Sequence, residues 1–302
     1  MSTQQPPHKS VLVREVLEYL DPQPGKLYLD ATFGAGGHTR AILEKEPNCS
    51  VIALDWDMQV IESHAKQMEE EFDGRLRVVW GNFSLLTKIL KNEKINGLDG
   101  ILADFGTSQM QITSKAGFSI YRDTPLDMRM SPSHQKITAA ELIRTASLEK
   151  LCELFWQLGE EGRAKAIAQL ILEERKKKPI TTTAQLAAIV ERAVPEKRGN
   201  RIHPATKVFQ ALRIYINKEL ENIHSFLIAS SRALNVDGRL VCISFHSLED
   251  RLVKQFFRDQ ELAHELTLLT PKVVVADPQE VQENPSSRSA RLRAACKSAK
   301  SV

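Results

Sequence analysis

Two acidic residues and a group of glycines near the start of the chain have the types and spacing of a nucleotide-cofactor site. Asp30 and Asp55 each end a short apolar run typical of a buried strand. Gly34, Gly36 and Gly37 lie between them, where a backbone without Cβ atoms can turn tightly and approach a ligand. A carboxylate about twenty residues beyond such glycines accepts hydrogen bonds from ribose hydroxyls. The stretch therefore predicts a strand, a glycine turn, a helix and a second strand that together bind an adenosine-type ligand.

The glycine spacing distinguishes between classes of cofactor. Folds that bind a dinucleotide pyrophosphate carry G-x-G-x-x-G, whereas here Gly36 and Gly37 are adjacent. Asp30 at the strand end would repel a phosphate but suits a cation, and S-adenosylmethionine carries both an ammonium and a sulfonium group. We therefore predict S-adenosylmethionine as the cofactor. The alternative at this point is a glycine-rich turn in some other α/β protein.

A third acidic residue, Asp104, ends the apolar run 98–103, which is predicted to be the fourth strand. In an open parallel sheet, the reactive crevice lies outside the carboxyl ends of the strands at the switch point. The exocyclic amine of a base has its lone pair delocalised into the ring, so a carboxylate must accept its N–H and orient it toward a methyl group. Asp104 is the first candidate for this role. A strand-end aspartate that caps a turn is the alternative.

Two further strand ends carry candidate residues. Phe83 follows the third predicted strand, where it either walls in an adenine ring or belongs to the core. His246 follows the predicted strand 240–245 and is either catalytic or structural. Ser247 is predicted to cap the next helix, with Asp250 as its reciprocal partner.

Length and composition limit the class of protein. A chain of 302 residues can hold one large α/β domain and a smaller one. Its four cysteines are too scattered for a zinc knuckle, so we predict no metal site and expect them to be reduced. Because the first ten residues lack the apolar core of a signal peptide and no stretch is long enough to span a bilayer, we expect a cytoplasmic protein without a membrane segment. The net charge of +3 alone does not indicate nucleic acid.

The alternation of strands and helices stops after the fourth predicted strand. Residues 113–204 contain several helical patterns but no convincing strand. This predicts an all-helical domain inserted into a discontinuous α/β core made of residues 1–112 and 205–302. The insertion begins with a polar segment that includes Asp127 and Arg129 and is too rich in functional groups for a linker.

Local clusters of basic residues favour contact with RNA. One predicted loop carries Lys197, Arg198, Arg201 and His203 beside a glycine, which suits a grip on an RNA backbone. The end of the chain from Ser286 carries cations and no acidic residue, which indicates either an RNA-binding tail or a disordered, solvated terminus. Its arginines are Arg288, Arg291 and Arg293.

Several long motifs, in order from about His8 to Lys297, resemble those of the bacterial ribosomal RNA small-subunit methyltransferase H family, the 16S rRNA cytosine-N4 methyltransferases. The motifs are LDATFGAGGHTRAIL, ALDWD, GNFS, DFGTSQMQ, GFS with PLDMRM, GEE, HPATKVFQALRIYINKEL, ISFHSLEDRLVK and NPSSRSARLR. Each alone is unspecific, whereas the ordered set is very specific. Residues 107–110 depart from the family's Ser-Ser-Pro run, and Ser10 stands where many members have proline. These departures bear on loop shape more than on donor binding.

The resemblance implies a class I S-adenosylmethionine methyltransferase core, Rossmann-like with a mostly parallel sheet, and an inserted all-helical domain that binds the RNA substrate. It implies N4-methylation of a cytidine in the decoding region of 16S rRNA, within the small ribosomal subunit. The family's cofactor contacts fall on Gly36, Gly37, His38, Asp55, Phe83, Asp104 and Gln111. Reasoning from residue types alone does not reach Gln111. For the substrate-side chemistry we predict Asp104 and Ser108, followed by Asp127, Arg129 and His246.

Two other classes of function share parts of this pattern. A nicotinamide-dependent oxidoreductase would have a similar core but needs the pyrophosphate-binding glycines, which are absent. A non-catalytic ribosome-assembly factor built on an inactive methyltransferase core would keep the fold and the basic clusters while losing Asp55 or Asp104, and both are present. The preferred prediction is therefore direct transfer of a methyl group to an RNA amine. The sequence does not predict the oligomeric state.

Overall fold

The computed structural model describes residues 9–106, 115–132, 135–194 and 203–299. The chain divides into two compact units. One consists of Met1–Gly106 and Leu220–Val302, and we call it the α/β unit. The other, Thr107–Glu219, is called the helical unit.

A single mixed sheet forms the centre of the α/β unit. Its strands are β1 (Leu27–Asp30), β2 (Ser50–Asp55), β3 (Leu76–Trp80), β4 (Leu98–Asp104), β5 (Leu234–Ser244), β6 (Leu266–Leu268), β7 (Val274–Val275) and β8 (Arg291–Lys297). The strand order is β3-β2-β1-β4-β5-β8-β6, and β7 also pairs with β8. The first five strands in this order run parallel, whereas β8 is antiparallel to β5. The predicted α/β fold with a mostly parallel sheet is therefore confirmed.

The helices of the described residues are, in chain order, α1 (Val13–Leu20), α2 (Gly37–Lys45), α3 (Met58–Glu71), α4 (Leu86–Asn92), α5 (Ala139–Thr145), α6 (Leu148–Gln157), α7 (Ala164–Lys177), α8 (Thr183–Ala193), α9 (Thr206–Asn217), α10 (Glu219–Ala233), α11 (Ser247–Leu262) and α12 (Pro278–Glu283). None of them is both long and apolar enough to cross a lipid bilayer.

Apolar residues on both faces of the central strands produce the layered core. Successive side chains of a strand point to opposite faces, and Tyr28 and Leu29 of β1 accordingly belong to two different buried clusters. In β2, Val51 lies in the first cluster and Ile52 in the second. A strand buried on both faces reads as a continuous apolar run, which is why β1, β2 and β4 could be located from the sequence.

The helical unit has its own apolar core, to which α5 through α9 all contribute. Thr138 with Glu141 and Thr182 with Gln185 form capping boxes that fix the starts of α5 and α8. Helix α9 packs against α5 and α6, and buried residues such as Val208 and Leu212 join this core. The unit therefore extends to Glu219, beyond residue 204 where the sequence analysis placed the end of the insertion.

The end of the chain differs from the basic tail that its composition indicated. Residues Arg291–Lys297 form β8, which lies between β5 and β6 in the sheet. Leu292 and Ala294 face one apolar cluster and Ala295 faces the other. This segment is therefore ordered core structure, and the interpretation as a disordered, solvated terminus is wrong for it.

Candidate active site

Three carboxylates end three adjacent parallel strands. Asp30 ends β1, Asp55 ends β2 and Asp104 ends β4, and β1 pairs with both of the other strands. Because the carboxyl ends of parallel strands meet at one edge of the sheet, the three side chains share that edge, as the sequence analysis expected. We call this the catalytic edge. Its negative potential favours a cationic ligand over a phosphate.

The Asp55 carboxylate is fixed by backbone donors on both sides. Its Oδ2 atom accepts a hydrogen bond from the N–H of Gly34 and its Oδ1 atom one from the N–H of Asp57, each at 2.9 Å. Burial raises the pKa of Asp55 to about 6, and the charges of Asp57 and Asp30 act in the same direction. A carboxylate oxygen has two lone pairs, so each still has capacity to accept a ribose hydroxyl.

Asp30 forms hydrogen bonds within the protein, and its predicted contact with a cationic ligand stays a prediction. It is fully buried, its Oδ1 accepts from the N–H of Thr32 at 3.0 Å, and its Oδ2 accepts from the hydroxyl of Thr39 at 2.7 Å. The side chain thus braces the glycine turn against the first turn of α2. Its charge nevertheless contributes to the catalytic edge, since it raises the pKa of both Asp55 and Asp104.

Asp104 is held through its backbone and one carboxylate oxygen. The Thr32 hydroxyl accepts a hydrogen bond from the Asp104 N–H at 2.8 Å, and the Asp104 Oδ1 accepts one from the Gly106 N–H at 3.3 Å. Within the described residues, Oδ2 has no hydrogen-bond donor. Burial raises the pKa of Asp104 to about 6, assisted by the charge of Glu249 and opposed by His38. One oxygen of this carboxylate is therefore free to accept a hydrogen bond from a substrate.

Phe83 belongs to a group of three aromatic rings rather than standing alone. Its ring lies 5.9 Å from that of Phe105 and 5.4 Å from that of Phe226, in tilted and edge-on arrangements. Phe105 directly follows Asp104, so these rings form an apolar wall beside the catalytic edge. Phe105 and Phe226 were not identified from the sequence, because nothing in their local pattern distinguishes them from core residues.

Two of the glycines are closely packed against other parts of the protein. Gly36 has a φ of 79°, and a Cβ atom there would lie 2.2 Å from the Met68 sulfur. A Cβ on Gly37 would lie 2.2 Å from the Ser10 hydroxyl. The N-terminal segment 9–12 therefore lies directly on the glycine turn.

His38 joins the glycine turn to this N-terminal segment. It is buried, and its Nε2 lies 2.8 Å from the carbonyl oxygen of Val11. A carbonyl only accepts, so Nε2 carries the proton of this hydrogen bond. The segment is held from the other side as well, since Glu280 accepts from the Leu12 N–H at 2.7 Å and Asn284 donates to the Lys9 carbonyl at 3.0 Å. Neither contact has a local sequence signal, because about 270 residues separate the partners.

His246, not Ser247, caps helix α11. Its Nδ1 accepts from the Glu249 N–H at 3.4 Å, and Glu249 completes the capping box. The predicted Ser247–Asp250 pair is therefore wrong by one position. Because Nδ1 already accepts a hydrogen bond, Nε2 carries the ring proton, and it lies 3.2 Å from the Glu249 carboxylate. His246 thus caps the helix through Nδ1, whereas its buried Nε2 has no hydrogen-bond partner among the described residues. The catalytic role predicted for His246 stays a prediction.

Within the helical unit, Asp127 and Arg129 form a fork-like ion pair. The Arg129 guanidinium donates to the two Asp127 carboxylate oxygens at 2.7 and 2.9 Å. Asn217 holds the same segment, accepting from the Met130 N–H and donating to the Met128 carbonyl, both at 2.8 Å. The polar segment that the sequence analysis singled out is thus a rigid element anchored to α9.

The predicted RNA contacts have different environments. His203 is 2.8 Å from the Glu191 carboxylate and accepts from the Ala205 N–H. Arg293 is buried and donates to both oxygens of Asp250 at 2.7 and 3.2 Å, whereas Arg288 and Arg291 are exposed. An arginine occupied in this way is not available as a free phosphate ligand. Five predicted site residues lie outside the described residues: Ser108, Gln111, Lys197, Arg198 and Arg201.

The groups at the catalytic edge fit S-adenosylmethionine. Asp55 offers acceptors for ribose hydroxyls, the aromatic wall offers an apolar surface for adenine, and three clustered carboxylates offset the positive charges of the amino acid and sulfonium groups. A pyrophosphate would meet repulsion from the same carboxylates. The donor predicted from Asp30, Asp55 and the glycine spacing is consistent with this geometry.

Known proteins resemble this chain over nearly its whole length. Ribosomal RNA small subunit methyltransferase H of Thermomicrobium roseum is 47% identical over 95% of this chain and 93% of its own length. The protein of the same name from Ehrlichia chaffeensis is 42% identical over 96% of this chain and 99% of its own. Among solved structures, a putative rRNA-methylase from Clostridium thermocellum covers 95% of this chain and 98% of its own at 10% identity, with a TM-score of 0.48. A family model described as the MraW methylase family matches residues 5–298, and the chain belongs to this family.

Proposed function

We propose that this protein transfers a methyl group from S-adenosylmethionine to the exocyclic N4 amine of one cytidine in the decoding region of 16S rRNA. S-adenosylmethionine is the donor of this methyltransferase family. Relatives more than 40% identical are named as methyltransferases of small-subunit ribosomal RNA, which supports the choice of RNA as acceptor. The observation that carries the proposal is the half-buried Asp104 carboxylate at the catalytic edge, whose Oδ2 atom accepts no hydrogen bond from any described residue.

The reaction requires an amine to be oriented and relieved of a proton. The amine lone pair of cytosine is delocalised into the ring, so the nitrogen must become pyramidal as it attacks the methyl carbon. A carboxylate that accepts one N–H favours this geometry and offsets the positive charge that develops on nitrogen. As the N–C bond forms and the S–C bond breaks, the extra proton of the amine passes to the carboxylate or to water. Asp104, with a pKa of about 6, is mostly ionised at pH 7.5 and therefore able to accept it.

The helical unit supplies the substrate contacts in this proposal. A cytosine must leave its stack to reach the catalytic edge, and a structured single-stranded loop allows this at lower cost than a duplex. Asp127 and Arg129 remain candidates from the sequence, and two hydrogen bonds with Asn217 anchor their segment. Ser108 and the basic residues Lys197, Arg198 and Arg201 remain candidates from the sequence. The acceptor is the RNA of the small ribosomal subunit, alone or assembled, in the cytoplasm.

The first test is transfer of labelled methyl from S-adenosylmethionine to small subunits lacking the modification and, in parallel, to protein-free 16S rRNA. Nuclease digestion and mass mapping identify the product. We expect N4-methylcytidine at one position. Label on another atom or base would contradict the assignment to N4, and donor binding without transfer to either RNA would show that the acceptor is wrong.

The second test isolates Asp104. We expect Asp104→Ala to lower kcat at saturating S-adenosylmethionine by at least about a hundredfold, which is about 3 kcal/mol of transition-state stabilisation. Asp104→Asn should retain part of the activity, because its amide oxygen still accepts an N–H. Asp73→Asn, the same change at an exposed aspartate, serves as the matched control. Unchanged kcat in Asp104→Ala, with a raised donor KM, would limit this residue to donor binding.

A further inference from the structure

Helix α11 and strand β8 carry a row of cations on one surface of the α/β unit. Lys254, Arg258 and Arg293 line a shallow cleft whose other wall includes Thr270 and Pro271. Lys254 and Arg258 are one helical turn apart and therefore lie on the same face of α11. The cleft concentrates positive charge on an otherwise nearly neutral chain, whose net charge is +3.

Asp250, one of two carboxylates in the first turn of α11, is already occupied. Asp250 accepts two hydrogen bonds from Arg293 and lies 3.7 Å from Arg291. Across the part of the chain that the structure describes, neither Lys254 nor Arg258 forms an ion pair or a hydrogen bond. Holding two uncompensated cations side by side is unfavourable for the free protein, and a bound anion would relieve this repulsion.

The row begins at the catalytic edge. Arg291 stands opposite Ser244 in the β5–β8 register, at the carboxyl end of β5, where α11 begins three residues later. With a rise of 1.5 Å per residue, Lys254 lies about 10 Å and Arg258 about 16 Å along the helix from its start. The cations therefore lead outward from the place where the methyl group is transferred.

We propose that Arg291, Lys254 and Arg258 form a track that binds the phosphate backbone of the RNA next to the methylated nucleotide. This inference rests on the proposed function, because it takes RNA as the acceptor. A target base can be splayed toward Asp104 only if its flanking backbone is held. Lys254 and Arg258, about 6 Å apart along the helix, suit successive phosphates without reading sequence. Arg293 has a supporting role, since it occupies Asp250 and so keeps that carboxylate away from Lys254.

The test compares RNA binding by Lys254→Ala/Arg258→Ala with that by the wild type. A fluorescently labelled RNA fragment of the decoding region is titrated at potassium chloride concentrations from 50 to 300 mM. We expect the Kd of the double variant to rise about tenfold at 100 mM salt. The slope of log Kd against log salt concentration should fall by about 1.4, since each phosphate contact with single-stranded RNA contributes about 0.7. Donor binding measured by calorimetry should be unchanged.

The matched control removes two exposed lysines elsewhere on the same unit. Lys45→Ala/Lys88→Ala loses the same charge from α2 and α4, and we expect it to change the salt slope by less than half as much. Equal effects of the two double variants would show that RNA binding depends on net charge and not on these particular residues, which would overturn the proposal. An unchanged Kd and slope for Lys254→Ala/Arg258→Ala would overturn it directly.

Two further outcomes separate this inference from the proposed function. Wild-type protein that binds the RNA fragment but transfers no methyl group would contradict the proposed function. The salt slopes of the two double variants would still test whether the track binds RNA. A double variant that acts normally on protein-free RNA but poorly on assembled small subunits would show that the cleft contacts a ribosomal protein instead, and the RNA assignment would be wrong. Absence of RNA binding by the wild type would contradict both.

Discussion

The Oδ2 atom of Asp55 accepts a hydrogen bond from the N–H of Gly34 at 2.9 Å, which joins the end of β2 to the glycine turn after β1. The carboxylate expected to bind the ribose is thus also a structural element of the turn. Two backbone hydrogen bonds hold this carboxylate in place, and the side chain is buried. Burial raises its pKa to about 6, so ionisation of Asp55 costs more free energy than in water, and a bound cationic ligand would favour the ionised form.

Asp55→Asn should therefore separate donor binding from stability. The variant loses charge-assisted hydrogen bonds to the ribose, worth about 2 kcal/mol, so the Kd for S-adenosylmethionine should rise roughly 30-fold. The thermal midpoint should move by no more than about 3 °C, because removal of a buried charge offsets the loss of one backbone hydrogen bond. Calorimetry and thermal unfolding measure the two effects, with Asp73→Asn as control. A large fall in the thermal midpoint would show that Asp55 mainly stabilises the glycine turn.

Donor affinity should weaken in mild acid. Asp55 and Asp104 both have a pKa raised by burial to about 6, so both are ionised at pH 7.5 and mostly protonated at pH 5. Each protonation removes a negative charge, and the Kd should rise about tenfold per group between pH 7 and pH 5. Calorimetric titrations across this range measure the change. S-adenosylhomocysteine, which lacks the sulfonium charge, should show a shallower dependence, and parallel curves for the two ligands would contradict an electrostatic role for the carboxylates.

The same shifts predict the opposite trend for stability of the free protein. The folded state binds these protons more tightly than the unfolded chain, whose aspartates have the ordinary pKa of about 3.9. The contribution of both groups to the free energy of unfolding should therefore decrease as the pH rises from about 4 to 6 and stay level above that range. Urea unfolding at several pH values, for the wild type and Asp55→Asn, measures this. A wild-type curve that parallels the variant curve would show that Asp55 does not titrate in this window.

The strand ends could be predicted from the sequence because each central strand is a short apolar run that stops at an acidic residue. Burial on both faces of the sheet imposes that pattern, and the carboxyl ends of parallel strands meet by geometry alone. Asp30, Asp55 and Asp104 were found in this way. The position of Asp30 was predicted correctly, whereas no sequence pattern shows that Thr32 and Thr39 donate hydrogen bonds to its carboxylate.

Contacts between distant segments could not be predicted from the sequence. The hydrogen bonds of Glu280 and Asn284 to the N-terminal segment, and the packing of Phe226 against Phe83, join residues with no shared local pattern. Strand β8 was missed for a different reason. Its alternating arginines and the serine-rich segment before it have the composition of a solvated tail. The charge of Arg293 is neutralised by Asp250, and this partner is brought close only by formation of the sheet.

His38 should control donor affinity by holding the N-terminal segment. His38→Ala removes the hydrogen bond to the Val11 carbonyl, so segment 9–12 should loosen, amide exchange at Leu12 should accelerate, and the donor Kd should rise about tenfold. His38→Gln, whose amide N–H reaches a similar position, should recover much of the affinity. His224→Ala, at an exposed site on α10, is the control. Normal donor binding together with faster exchange at Leu12 would show that the segment does not shape the donor site.

Asn217 should determine the order of the polar segment in the helical unit. Its side chain satisfies the buried N–H of Met130 and the carbonyl of Met128, and Met128 itself has a positive φ of 65°. Asn217→Ala leaves both backbone groups without these partners, at about 1–3 kcal/mol each, so amide exchange at Met130 should accelerate by at least about tenfold. Gln169→Ala, an exposed change on α7, should leave exchange at Met130 unaltered. If the segment positions the target nucleotide, Asn217→Ala should also raise the KM for RNA while donor binding stays normal. Protection of the Met130 amide equal to that in the wild type would mean that other contacts hold the segment.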